Sequence, residues 1–202
     1  VASNIRNYVA VRAGFRGYDA GSIGSGVSNN NRLIERHPGG YWKSYDFRGN
    51  TNERSIFERP LGPHTVFSGS YVFEQDGGEI IFRLPNGLHA YMLVDKFGKL
   101  INEGPIDVVY DRSNLSDPVI IAGGSCMKCH TSGMIEKQDS VRKDLAQSTV
   151  LDIETRKIIA NLYDPENRRQ SLSQLSAEDQ EKYREKMVQT GAEFGKTDPV
   201  ST

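Results

Sequence analysis

Two cysteines occur in the 202 residues, and both lie in the stretch Ser125-Cys126-Met127-Lys128-Cys129-His130. Paired thiols with two residues between them, followed directly by an imidazole, form the C-x-x-C-H pattern that attaches a c-type haem. On one helical turn the two thiols can form thioethers with the two vinyl groups of a single porphyrin, and the adjoining imidazole then meets the iron. On this reading Cys126 and Cys129 hold one covalent haem c, and His130 is its proximal iron ligand. Two other uses of the pattern fit less well. A structural zinc site takes four nitrogen or sulfur ligands, and the chain has no second C-x-x-C to complete the set. A thioredoxin-like pair stands at a strand-to-helix junction of a βαβ unit, unlike the flanking Gly123-Gly124-Ser125 and Thr131-Ser132-Gly133.

The other face of the iron separates electron transfer, which favours an occupied sixth position, from small-molecule chemistry, which needs an open one. Histidines at 37, 64 and 89 and methionines at 92, 127, 134 and 187 are the available side chains. Met127 lies between the attachment cysteines and Met134 four residues past His130, both on the proximal side. His89 and Met92 are three apart in one strand and so face opposite ways. His64 stands in a turn-rich segment, and Met187 has helical spacing to Tyr183. His37 precedes Pro38, which biases it to extended backbone, and it follows a long loop able to cross a haem. His37 is therefore the expected sixth ligand, with Met134, Met187, His89, Met92 and His64 left as alternatives.

The surrounding elements divide into a β-rich part at about 33–110 and a helical part at about 117–191. Ile5, Tyr8, Val9, Val11 and Ala13 have partial helical spacing and predict a short first helix over 5–15. A Gly, Ser and Asn-rich loop over 17–31 follows. Strand-prone residues predict strands over 33–37 and 40–47, where Trp42, Tyr41, Tyr45 and Phe47 suit packing between strands or against a flat ligand. Short β-branched or aromatic runs at 71–73, 79–84, 89–95 and 107–110 are separated by Asp76-Gly77-Gly78, Pro85-Asn86-Gly87 and Lys96-Phe97-Gly98, and predict an antiparallel meander. Beyond Pro118 the pattern becomes helical, with start signals at Asp139, at Thr149-Val150-Leu151-Asp152 and at Ser176-Ala177-Glu178-Asp179, and a stop at Gly191. The expectation is an α+β fold in one domain over 1–196, its sheet packed on the helices with the haem between them, and 197–202 a tail or linker.

Twenty-five basic and 26 acidic residues leave a formal charge of −1 with both signs interspersed, which implies neither nucleic acid nor an anionic membrane as partner. No apolar run has the length of a membrane span. Val1-Ala2-Ser3-Asn4 shows no charged and apolar leader pattern. Because bacterial haem c attachment takes place outside the cytoplasmic membrane, a periplasmic or extracellular address is expected, with the leader outside the present sequence. No paired carboxylates, nucleophile elbow or phosphate loop points to other catalysis.

The chain resembles a family of monohaem c-type cytochrome domains found in secreted or periplasmic bacterial proteins, often joined to other modules. The resemblance spans most of the chain. It is carried by Ser28-Asn29-Asn30-Asn31-Arg32-Leu33-Ile34-Glu35-Arg36-His37, Tyr41-Trp42-Lys43-Ser44-Tyr45-Asp46-Phe47, Asp76-Gly77-Gly78-Glu79, Leu84-Pro85-Asn86-Gly87-Leu88, and the run from Ser125 to Met134. It implies haem binding and an extracytoplasmic address. Similar sequences often have glutamine where this chain has His89, which speaks against His89 as an essential ligand. The expected function is electron transfer to a redox partner protein or a neighbouring domain. Its rival is a five-coordinate haem sensor or peroxidase-like enzyme in which Arg32, Arg36 or His37 would polarise a bound ligand. In a third reading the sheet is a partner surface and the haem a structural staple.

Overall fold

A computed structural model describes residues 11–16, 30–112, 114–163 and 171–195. Among these residues the main sheet has six strands: β1 (Val11–Phe15), β2 (Arg32–Arg36), β3 (Trp42–Asp46), β6 (Gly77–Arg83), β7 (His89–Asp95) and β8 (Leu100–Ile101), in the order β1-β2-β3-β6-β7-β8. Every neighbouring pair is antiparallel. Between β3 and β6 the chain leaves the sheet, and there β4 (Gly62–Pro63) and β5 (Val72–Phe73) form a small parallel pair. The helices are α1 (Gly124–Cys129), α2 (Val141–Gln147), α3 (Ile153–Leu162) and α4 (Leu172–Gln189). The α+β class and the order of sheet before helices are as the sequence predicts.

Residues 72–73, expected in the antiparallel meander, pair in parallel with 62–63 outside the main sheet, and three further details differ from expectation. Residues 11–15 form a strand, not the end of a helix, because Val11, Ala13 and Phe15 alternate and pair with Arg36, Ile34 and Arg32. The first part of that predicted helix, most of the 17–31 loop and the tail lie outside the described residues. The run 107–110 is no named strand. Val108 and Val109 instead donate their N–H groups to the Pro105 carbonyl at 2.9 Å each, and Leu100–Ile101 pairs with β7 in its place. Finally, α4 starts before Ser176, at a capping box in which Ser171 Oγ accepts from Gln174 N and the Gln174 side chain accepts from Ser171 N.

Alternation along the strands gives the sheet two buried faces. Leu33, Tyr45, Phe47 and Phe73 form one core with Val141, Leu145, Ile159 and Leu162 of α2 and α3. Ala13, Trp42, Ile81 and Tyr91 form the other with Cys126, Met134 and Leu172. Helices therefore cover both sides of the sheet, and the C-x-x-C-H helix shares its side with α4. Each fully buried large apolar side chain in these cores contributes on the order of 1.5–3 kcal/mol. Polar contacts fix the register of the layers. Asp179 of α4 accepts from Trp42 Nε1 at 3.1 Å, pairs with Arg83, and lies 3.0 Å from His89 Nε2. On the opposite face the fully buried Arg12 and Glu35 pair at 2.8 Å.

Candidate haem-attachment site

The segment leading into α1 is tied to the edge of the sheet. Gly104 N donates to Ile120 O and Ala122 N to Asn102 O, each at 2.8 Å, and Glu103 bridges to Ile121. Gly123, at φ +82°, then turns the chain into the helix. This anchoring lays Cys126 against the sheet, 5% exposed, while Cys129 at the helix end is exposed to solvent.

Burial pushes the Cys126 thiol well above its usual pKa, and the neighbouring Glu79 carboxylate adds to the shift. Burial and the charge of Asp111 raise Cys129 as well. Both sulfurs are thus protonated at neutral pH, unlike the low-pKa thiolate of a redox-exchange pair. Among the described residues no three His, Cys, Asp or Glu side chains converge as a metal ion's ligand set would.

His130 follows the helix as its C-cap, and a tight turn holds the ring. Gly133 N donates to His130 O at 2.9 Å, and His130 Nδ1 lies 2.9 Å from Gly133 O. A carbonyl oxygen only accepts, so Nδ1 carries the proton and the lone pair of the neutral ring is on Nε2. The turn needs glycine twice over. Gly133 has φ +82°, and a Cβ there would lie 3.1 Å from the Tyr183 ring. The Tyr91 ring stands 5.5 Å from the His130 ring, and its hydroxyl is buried without a hydrogen-bond partner among the described residues.

Two cavities meet at this imidazole. One has an apolar wall that includes Leu93, Val108, Val109 and Ile120. The other is walled by Phe15, Ile34, Trp42, Ile81 and Met134. Arg32, Glu79, Cys129 and His130 line both. Each combines an apolar wall with a few polar groups, as small-molecule sites do. Glu79 stands where the cavities join, its Oε2 3.9 Å from His130 Nε2, too far for a hydrogen bond. Its backbone is fixed from the neighbouring strand. Ser44 Oγ accepts from Glu79 N at 2.9 Å and donates to Asp46 Oδ2 at 2.9 Å. Asp46 receives the fork of Arg32, at 2.5 and 3.0 Å. Burial alone would lower the Arg32 pKa, but the Asp46 charge and hydrogen bond outweigh it and raise it.

The structure brings Cys126, Cys129 and His130 together but not His37. That side chain continues the parity of Leu33 and Glu35, and its Nε2 lies 3.0 Å from Glu35 Oε2 while the ring stacks on Tyr41. Glu35 in turn accepts from Tyr45, part of the core on the sheet's other face. The sheet thus lies between His37 and His130, and the structure does not bring together the two imidazoles expected as iron ligands. Among the alternatives, Met92 is on the same wrong face, partnered across the strands with Ile80. His64 is exposed beside β4. His89 shares the face of His130 but is taken up by Asp179 and a stacked Tyr183 ring. Met187 is buried in α4 and lines neither cavity. Met134 lines the second cavity, on the turn that carries His130. Arg36 lies over Trp42 at 5.2 Å and lines neither cavity, whereas Arg32 lines both.

Glu79 and Tyr91 were not legible as site residues from spacing, because they come from strands distant in sequence from the motif, and Gly133, three residues past His130, has no side chain to mark it. Glu79 alone carried a signal, as an acidic side chain at the head of the apolar run Ile80-Ile81-Phe82. No helix is long and apolar enough to cross a membrane among the described residues. Comparison with known proteins returned no matching family model, curated protein or solved structure.

Proposed function

We propose that this chain is a monohaem c-type cytochrome domain. One haem c is bound through thioethers to Cys126 and Cys129, with His130 as proximal ligand, and exchanges single electrons with a redox partner protein or a neighbouring domain. The observation that carries the reading is the imidazole clamp: Gly133 O takes the Nδ1 proton, which leaves the Nε2 lone pair aimed where two apolar cavities meet. The residues fit the group. A flat, largely apolar macrocycle needs extended apolar walls, sulfurs at its edge and a nitrogen over its centre, and the bound haem would supply the one-electron chemistry. The exposure of Cys129 supports electron exchange, since the porphyrin edge joined to it would lie near the surface a partner can reach. The same attachment chemistry supports a periplasmic or extracellular address.

A second use of the iron, binding a small molecule in the manner of a sensor or peroxidase, has one observation in its favour. Apart from His130, Met134 is the one histidine or methionine lining either cavity among the described residues, and it belongs to the proximal turn.

The test is expression in a bacterial host that matures c-type cytochromes. Intact mass should show one haem per chain, and Cys126→Ala with Cys129→Ala should remove it. Unmodified mass for the parent protein refutes the reading.

A further inference from the structure

A ligand trans to a histidine across a metal stands two metal–ligand bonds from the ring nitrogen. With bonds of about 2 Å each, that separation is ~4 Å. Glu79 Oε2 lies 3.9 Å from His130 Nε2, beyond hydrogen-bond reach but within ion-pair distance, and its carboxylate also hydrogen-bonds the Cys126 thiol. The gap is also flanked as a macrocycle requires. Glu79 and His130 both line both cavities, so a flat group centred between them would extend into both. Cys129 lines both cavities and Cys126 the first, which puts the attachment sulfurs at the rim of the same space.

We infer that Glu79 provides the iron's sixth donor, a carboxylate oxygen, opposite His130. The inference rests on the haem reading and deepens it. The scaffold suits such a ligand. The Glu79 backbone is held by Ser44, which is itself held through Asp46 by Arg32, so the side chain springs from a fixed point on β6. The preceding Gly78 adds to this by letting β3 approach closely, since a Cβ there would collide with Ser44 O. A carboxylate is a hard, weak-field oxygen donor, better matched to ferric than to ferrous iron. Such a domain would hold a high-spin ferric haem and leave the reduced iron open to a small neutral ligand, joining electron exchange to ligand binding at one centre.

The experiment uses the haem-loaded chain, with the adduct checked by mass in every variant. The oxidised protein should give high-spin visible and electron paramagnetic resonance spectra, and the dithionite-reduced protein should bind carbon monoxide. Glu79→Ala should raise the affinity of the ferric protein for added imidazole at least tenfold, because no carboxylate has to be displaced. Glu79→His should convert the ferric spectrum to low-spin, and His37→Ala should leave it unchanged. A low-spin parent protein whose spectrum survives Glu79→Ala overturns the inference while the haem reading stands, as does a Glu79→His protein that stays high-spin. A parent chain without a haem adduct overturns both.

Discussion

Asp179 fastens the last helix to the face of the sheet that carries the C-x-x-C-H helix, and its removal should be among the most damaging single changes in the chain. Its side chain is 8% exposed, accepts from Trp42 Nε1 at 3.1 Å, pairs with Arg83, and lies 3.0 Å from His89 Nε2. Asp179→Ala leaves a buried indole N–H and the basic Arg83 and His89 side chains without this acceptor. Breaking a buried pair from one side costs about 3–5 kcal/mol. For a chain of this size that is a fall of about 6–20 °C in melting temperature. Asp179→Asn keeps the shape and one acceptor oxygen, and should cost about 1.5–3 kcal/mol, the worth of a hydrogen bond to a charged group. Urea unfolding at pH 7 measures both, with the slope against denaturant unchanged if only stability has moved. The pH dependence gives a second reading. Burial pushes the Asp179 carboxyl up, but the hydrogen bond and charge of His89, the charge of Arg83 and the Trp42 N–H outweigh it and hold the group below the usual carboxylate range. Its contribution is then complete above about pH 4, the unfolded value, and is lost as the pH falls through the folded-state value. The stability gap between the parent chain and Asp179→Ala should narrow over that acid window. A cost below about 1 kcal/mol for Asp179→Ala at pH 7, or a gap that does not change with acid, refutes the assignment.

Two further substitutions probe the frame around the site. Gly78→Ala drives a Cβ into a backbone oxygen, Ser44 O, which cannot rotate aside, so it should destabilise by about 1–3 kcal/mol in thermal unfolding. An unchanged melting temperature would mean that β3 and β6 are farther apart. On the other face, Arg12→Ala and Glu35→Ala should each cost about 3–5 kcal/mol, whereas the double variant should cost clearly less than their sum, because each single change strands a buried charge. Additive losses in a double-mutant cycle would show that the two side chains are not coupled.

Much of this architecture follows from local chemistry. The C-x-x-C-H motif is contiguous, so five consecutive residues carry its two thiols and its imidazole, and the strands after Gly77 declare themselves by alternation and by glycine-bearing turns. The stop at Gly191, with φ +82°, is equally local, as is the cap at Asp152, whose carboxylate accepts from Thr155 N. Pairing across distance decided the rest. Val11 to Phe15 satisfies a partial helical spacing and a strict alternation at once, and only the hydrogen bonds offered by β2 select the strand. His37 has the parity of Leu33 and Glu35, which was readable, but parity says nothing of which face receives the motif helix. That depends on where residues 102–104 capture residues 120–122, some twenty positions away, at the edge of β8. The same contact puts His130 opposite Glu79, about fifty residues earlier in the chain. The sequence by itself determined that two thiols and an imidazole fall within five residues. The tertiary structure decided which side chain stands across from the imidazole, because a strand offers a residue to one face or the other and only the packed layers say what lies there.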